Sequence, residues 1–205
     1  MTLIRYILVL SAICCLSGGL LSYVDQLTRG PIAEAAKREQ KNAICEVFLS
    51  RFPDVRIAED PEKDRDYREI TIPDAETGQE KKMAFFCGRD QQDSLIGFAV
   101  KTASFKGYSG RIDFMFGIAL DGTVCGTRVL EHRETPGLGS KLKDESYWKQ
   151  YLGLSRATGD IRIKKFGGTI ESISGASISS HAMTSALNEA LVQFDKIILQ
   201  KGSGQ

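Results

Sequence analysis

The sequence has only two histidines, His132 and His181, and no pair of cysteines at CxxC spacing. A zinc or iron–sulfur site needs several such ligands at short intervals, so no metal site is assigned. Of the five cysteines, Cys14 and Cys15 adjoin within an apolar run, while Cys45, Cys87 and Cys125 stand far apart. Cys87 and Cys125 fall in strand-like stretches and read either as a disulfide or as two buried free thiols. No run of lysine and arginine marks a basic face, and 27 basic against 26 acidic residues leave a formal net charge of +1. That balance gives no bulk attraction to a polyphosphate chain, and nucleic acid is excluded as a partner. A P-loop is absent, and Gly137-Leu138-Gly139 lacks the further glycine of a dinucleotide fingerprint. No GxSxG elbow supports a hydrolase built on Ser177 with either histidine, and both histidines are assigned structural roles.

Charge is also missing from Tyr6 to Val24, a run rich in Leu, Ile and Val behind the single basic residue Arg5. At about 1.5 Å per residue it just spans a hydrocarbon core of about 30 Å. Ser17, Gly18 and Gly19 leave a cleaved signal peptide as the alternative, but the span length favours a retained anchor. Arg29, Lys37, Arg38 and Lys41 follow the run and favour a cytoplasmic body, whereas the short amino-terminal tail favours the reverse. Residues 1–27 are read as tail and anchor, 28–53 as a connecting helix, and 54–205 as one domain.

Pro31 suits a first helical turn, and Ile32, Ala35, Ala36, Ala43, Ile44, Val47 and Phe48 recur at helical spacing until Pro53. The polar stretch from Glu59 to Arg68 reads as a solvated loop. Strands are predicted at 68–72, 82–87 and 95–102, the first two joined by a turn at Thr77-Gly78. Two more, 111–120 and 123–130, flank Asp121-Gly122, a strong hairpin signal. Asp144 to Leu152 is a short helix. From about Ser180 to Leu199 an apolar stripe of period near 3.6 runs through Ala182, Met183, Ala186, Leu187, Ala190, Leu191, Phe194, Ile197 and Ile198. The fold class is α+β, with helices packed on an antiparallel sheet.

Three glycine-rich segments remain: Gly107-Tyr-Ser-Gly110, Glu134-Thr-Pro-Gly-Leu-Gly139, and Ser174-Gly-Ala-Ser177. The third sets the hydroxyls of Ser174, Ser177, Ser179 and Ser180 at a helix start. There, free backbone N–H groups and the helix dipole favour an anion such as phosphate. Dipole stabilisation of about 0.3–1 kcal/mol does not hold a cofactor by itself, so retention requires an enclosing pocket or a covalent bond.

Together with His132-Arg133 before the second segment and Pro31-Ile-Ala-Glu-Ala35, these strings resemble the FMN-binding domain family. Within it the chain is most similar to the G subunits of Rnf electron-transport complexes, relatives of the C subunits of sodium-translocating NADH:quinone reductases. The resemblance implies FMN attached through its phosphate by a flavin transferase that uses FAD. The acceptor closes a pattern of acid, two variable residues, Ser or Thr, Gly, Ala, Thr, matched here by Glu171 to Ser177. Glu171 stands for the usual Asp and Ser177 for the usual Thr. The resemblance then makes Ser177 the acceptor within Ser174, Gly175 and Ala176. It makes Glu134, Thr135, Gly137, Leu138 and Gly139 the flavin pocket, where a side chain at Gly137 would crowd the ring. It implies an electron carrier, not catalytic alone, in a complex coupling electron transfer between ferredoxin and NAD to ion translocation. It places the chain in the bacterial inner membrane as a single-pass protein, its soluble domain in the periplasm, beside other membrane and peripheral subunits. A flavin-free assembly subunit is the alternative, suggested by the serine at the acceptor position.

Overall fold

The computed structural model describes residues 2–74, 78–159 and 161–202 of the 205-residue chain. It divides into two compact units, residues 1–40 and 41–205.

The first unit is helical. Helix α1 spans Thr2–Leu49. The sequence predicts a new helix at Pro31; instead Pro31 lies inside α1. Its missing N–H removes one ladder bond, to the Leu27 carbonyl, and the residues on either side continue the helix. Ile7, Leu8, Leu10, Leu16, Leu20 and Leu21 are exposed along it. By length and composition α1 is apolar enough to cross a membrane.

In the second unit five antiparallel strands form one sheet in chain order: β1 (Arg68–Pro73), β2 (Glu80–Arg89), β3 (Leu95–Gly107), β4 (Gly110–Ala119) and β5 (Val124–His132). The β4–β5 hairpin turns at Asp121-Gly122 as expected, with Gly122 at φ +79°. Thr77, half of the turn proposed between β1 and β2, lies outside the described residues. The Asp144–Leu152 segment forms only a short helix, α2 (Glu145–Trp148), followed by a 3-10 turn at Lys149–Tyr151. Helix α3 spans Ser177–Gly202.

Alternation along the strands sorts two cores. Met83, Phe85, Phe98, Val100, Phe114 and Phe116 face α3, whose stripe from Ala182 to Phe194 is fully buried against them. Each such Phe contributes roughly 1.5–3 kcal/mol by leaving water. Ala84, Phe86, Ala99, Met115 and Cys125 face the other way and are covered by Ala43, Ile44, Val47 and Phe48 at the end of α1. Cys87 packs in the first core and Cys125 in the second, and both are free thiols. Opposite faces of one sheet give them no shared disulfide geometry.

The Glu59–Arg68 stretch departs from a solvated loop. Asp64 and Asp66 close on Arg89, with Nη2–carboxylate distances of 2.9 and 2.6 Å, and all three side chains are largely buried. The Arg89 hydrogen bonds hold the Asp64 carboxyl well below the usual carboxylate range.

Candidate functional site

The three glycine-rich segments meet in space. Gly107–Gly110 turns between β3 and β4, Glu134–Gly139 leaves the end of β5, and Ser174–Ala176 leads directly into α3. Their junction is the buried Glu134 carboxylate, 5% exposed. One of its oxygens accepts the Ser109 backbone N–H at 2.9 Å, and the other accepts the Ser179 hydroxyl at 2.5 Å. The Glu134 N–H in turn donates to His132 Nδ1 at 3.2 Å. Burial, with Lys143 nearby, pushes the His132 pKa down, so the ring is a neutral acceptor at pH 7. Gly139 lies so close that an added Cβ would sit 2.3 Å from the second Glu134 oxygen. No larger residue fits there without moving that carboxylate.

These segments wall a cleft of about 550 Å³. Of the residues expected to hold a cofactor, Glu134, Thr135, Leu138, Gly139, Gly175, Ala176 and Ser177 line it. Gly137 and Ser174 do not: Gly137 donates its N–H to the Ser140 hydroxyl, and Ser174 is exposed. Tyr108, 70% exposed, and Ile178, 53% exposed, add apolar surface to the walls beside Leu138. Lys165 is the only cation among the lining residues and Glu134 the only anion.

The four serines at the start of α3 now separate. Ser174 is outside the cleft. The Ser179 hydroxyl is committed to Glu134. The Ser180 hydroxyl donates to the Ala176 carbonyl and accepts the Ile173 N–H, both at 3.0 Å. Ser177 alone is half-buried on the cleft wall with no protein partner for its hydroxyl among the described residues. It is the first residue of α3, so its N–H and those of Ile178 and Ser179 have no intrahelical acceptor. Ala176, in the capping position, carries no side-chain oxygen to satisfy them. The N–H of Ala176 closes a turn onto the Ile173 carbonyl at 2.9 Å, with Gly175 at φ +77°. Only glycine occupies that region without strain, which explains the residue at this point of the turn.

The histidines stay apart from this arrangement. His181 packs edge-on against Phe166, centroids 4.9 Å apart, in a separate hollow of about 370 Å³. His132 lines a third hollow with Arg111 and Arg133. Among the described residues neither ring is hydrogen-bonded to Ser177. Asp64, Asp66 and Cys87 place one ligand atom each within 4.8 Å of one another. Arg89 already pairs with both carboxylates there, and burial with the adjacent Asp64 pushes the Cys87 thiol up to about 12. That group is a closed ion pair rather than a cation cage.

Residues 107–192 match the FMN-binding domain family. The G subunit of the ion-translocating oxidoreductase complex of Vibrio cholerae serotype O1 is 30% identical over 190 residues, 90% of this chain and 86% of that one. The chain belongs to this G-subunit family. The Escherichia coli K12 member is likewise 30% identical, over 179 residues, 85% of this chain and 82% of its own length. Among solved structures, Shewanella oneidensis NqrC superposes with a TM-score of 0.51 at 20% identity, over 66% of this chain and 70% of that one. That likeness concerns the fold: the α+β arrangement is shared.

The residues present fit an FMN group. A cleft lined by the uncapped start of α3 and by Lys165 suits a phosphate, and Leu138, Tyr108 and Ile178 suit a planar ring. Lys165, Ile178 and the commitment of Ser179 were not legible in the sequence. Lys165 reaches the cleft because Ile163 bridges Ile170, folding the Lys164–Phe166 turn against the acceptor segment. The only local signal was the lysine pair before Phe166-Gly167-Gly168. The motif acid Glu171 is exposed and paired with Lys164, while Gln150 clamps its backbone, accepting the Glu171 N–H at 2.8 Å.

Proposed function

We propose that this chain is a flavoprotein electron-carrier subunit with FMN joined through its phosphate to Ser177. Its complex couples electron transfer between ferredoxin and NAD to ion translocation. The observation that carries this reading is the isolation of the Ser177 hydroxyl. Of four serines at the helix start it alone is both on the cleft wall and uncommitted.

In the attachment step the Ser177 oxygen bonds to the FMN phosphorus of FAD. The pyrophosphate P–O bond breaks, AMP leaves with the bonding pair, and the serine proton passes to a base on the flavin transferase. The N–H groups of Ser177, Ile178 and Ser179 would hold the remaining phosphodiester charge, with the Lys165 ammonium the one cation among the lining residues. When bound, FMN supplies the electron-accepting and electron-donating chemistry, while the protein fixes its position and electrostatic surroundings. The subunit catalyses nothing alone; its partners are the other membrane and peripheral subunits and the flavin transferase. Helix α1 serves as a single-pass anchor in the bacterial inner membrane, with the soluble domain in the periplasm.

The test is co-expression with a flavin transferase, followed by in-gel flavin fluorescence after denaturation and mapping of the labelled tryptic peptide. Wild type carries the label on the peptide containing Ser177, Ser177→Ala loses it, and Ser177→Thr and Ser179→Ala keep it. Label retained by Ser177→Ala moves the site elsewhere. A wild type that never gains flavin, beside a Ser177→Thr that does, favours the flavin-free assembly subunit.

A further inference from the structure

The acceptor segment, residues 171–177, is held to the domain mainly by hydrogen bonds. The Gln150 amide takes the Glu171 backbone twice, accepting its N–H at 2.8 Å and donating to its carbonyl at 3.2 Å. The Ser180 hydroxyl accepts the Ile173 N–H at 3.0 Å. Of the segment's residues only Ile173 and Ala176 are buried, while Glu171, Ser174 and Gly175 are exposed. The body of α3 is different, because from Ala182 onward its stripe is packed into the core. The segment and the first helical turn can therefore leave while the rest of the domain stays folded. Ser177, Ile178 and Ser179 have no intrahelical N–H bonds to lose, and Gly175 supplies a permissive hinge.

Flavin transfer makes a demand that the closed segment does not meet. The Ser177 oxygen bonds to the FMN phosphorus of FAD as the P–O bond to AMP breaks. AMP leaves with the bonding pair, and the serine proton passes to a base on the transferase. Attacking and leaving oxygens must lie roughly in line through phosphorus, with AMP and the transferase's own side chains around them. Yet Ser177 is half-buried on the wall of a cleft of about 550 Å³. Such a cleft takes a flavin, not the active-site loops of a second protein.

We infer that the acceptor segment opens to receive the flavin. The transferase binds residues 171–177 released from Gln150 and Ser180, and the segment closes again with the flavin in the cleft. The folded contacts around Ser177 thus restrain its labelling rather than promote it. The transferase's apparent affinity for the chain is its intrinsic affinity reduced by the fraction of chains that are open. The inference rests on the Ser177 reading.

The experiment uses the full chain in detergent, purified flavin-free, with flavin transferase and FAD, at chain concentrations well below KM. Gln150→Ala removes both hydrogen bonds to Glu171, and Gln150 does not line the cleft. The expected result is an initial rate of labelling at Ser177 raised about tenfold, the factor that about 1.4 kcal/mol represents. Arg156→Ala controls for stability lost elsewhere. Its partner Asp195, 2.8 Å away, lies about five turns along α3 from Ser177, and this variant labels at the wild-type rate. Amide hydrogen exchange at Glu171 and Ile173 in the flavin-free wild type is faster than at Leu187, and it slows once flavin is attached. A Gln150→Ala chain that labels at the wild-type rate or below overturns the inference, because the closed segment is then itself the substrate. Arg156→Ala as fast as Gln150→Ala overturns it too, as does exchange at Glu171 and Ile173 no faster than at Leu187. A wild type that takes no label at Ser177 overturns the Ser177 reading and this inference with it. A wild type that labels at Ser177 beside an unaccelerated Gln150→Ala overturns this inference alone.

Discussion

The Ser179 hydroxyl donates to the Glu134 carboxylate at 2.5 Å, joining the start of α3 to the loop after β5. Both residues are buried, Ser179 completely. The same carboxylate accepts the Ser109 N–H of the β3–β4 turn, so one side chain ties together three segments far apart in the chain. A buried carboxylate is costly unless its oxygens are satisfied, and here the turn, the loop and the helix each depend on its being there.

Glu134→Ala therefore leaves the buried Ser179 hydroxyl without its acceptor, at about 1–3 kcal/mol, and frees the N–H of the exposed Ser109 to water. The melting temperature of the chain falls by roughly 5 °C, at a few degrees per kcal/mol for a domain of this size. Glu134→Gln, which keeps an oxygen for Ser109, loses less. Thermal melts followed by circular dichroism check this. Equal melting of wild type and Glu134→Ala contradicts the junction role.

Gly137 and Gly139 differ by two positions and are expected to respond in opposite ways. A Cβ at Gly137 meets nothing within 4 Å, whereas at Gly139 it meets Glu134 at 2.3 Å and Ser179 at 2.8 Å. Gly137→Ala costs only the backbone strain of its φ of +77°, about 1–2 kcal/mol, and leaves the flavin absorption spectrum unchanged. Gly139→Ala displaces the junction and shifts that spectrum. The reverse pattern would restore the crowding that the sequence suggests at Gly137.

Acid weakens the Asp64–Arg89 pair. Hydrogen bonds from Arg89 hold the Asp64 carboxyl well below the usual range in the folded chain. The unfolded value is about 3.9, so between the two the unfolded state binds the extra proton. The pair's stabilisation is complete above the unfolded value and is lost as pH falls toward the folded one. Asp64→Asn lowers stability at pH 7 by roughly 2–3 kcal/mol, less than a full buried-pair break because Asp66 remains. Urea denaturation from pH 7 to pH 3 should show that deficit shrinking. A deficit independent of pH rules out the ion pair as its cause.

With the proposed orientation and a retained anchor, alkaline phosphatase fused after Gln205 is expected to be active in cells, and the chain to migrate at its full uncleaved mass. This outcome places the soluble domain outside the cytoplasm with α1 retained as the anchor. An inactive fusion beside an active cytoplasmic reporter reverses the orientation, and a shortened chain makes the apolar run a signal peptide.

Local order was plain in the residues themselves. The stripe of α3 from Ala182 to Phe194, the hairpin at Asp121-Gly122 and the strand pattern of β2 to β5 follow from periodicity and turn chemistry. Both act between neighbours in the chain. The acceptor segment was legible through its resemblance to a family. Other features depend on which distant segments the sheet brings together. That Glu134 joins three loops, that Lys165 faces the cleft, and that Ser179 is committed while Ser177 is not are contacts across the chain. Strand register assigns each residue to a face, and it is register that puts Cys87 and Cys125 in different cores. Asp64 and Asp66 look like solvated charges until Arg89 at the end of β2 neutralises them. Periodicity carries the elements because it is local; the site is made by side chains whose partners only packing supplies.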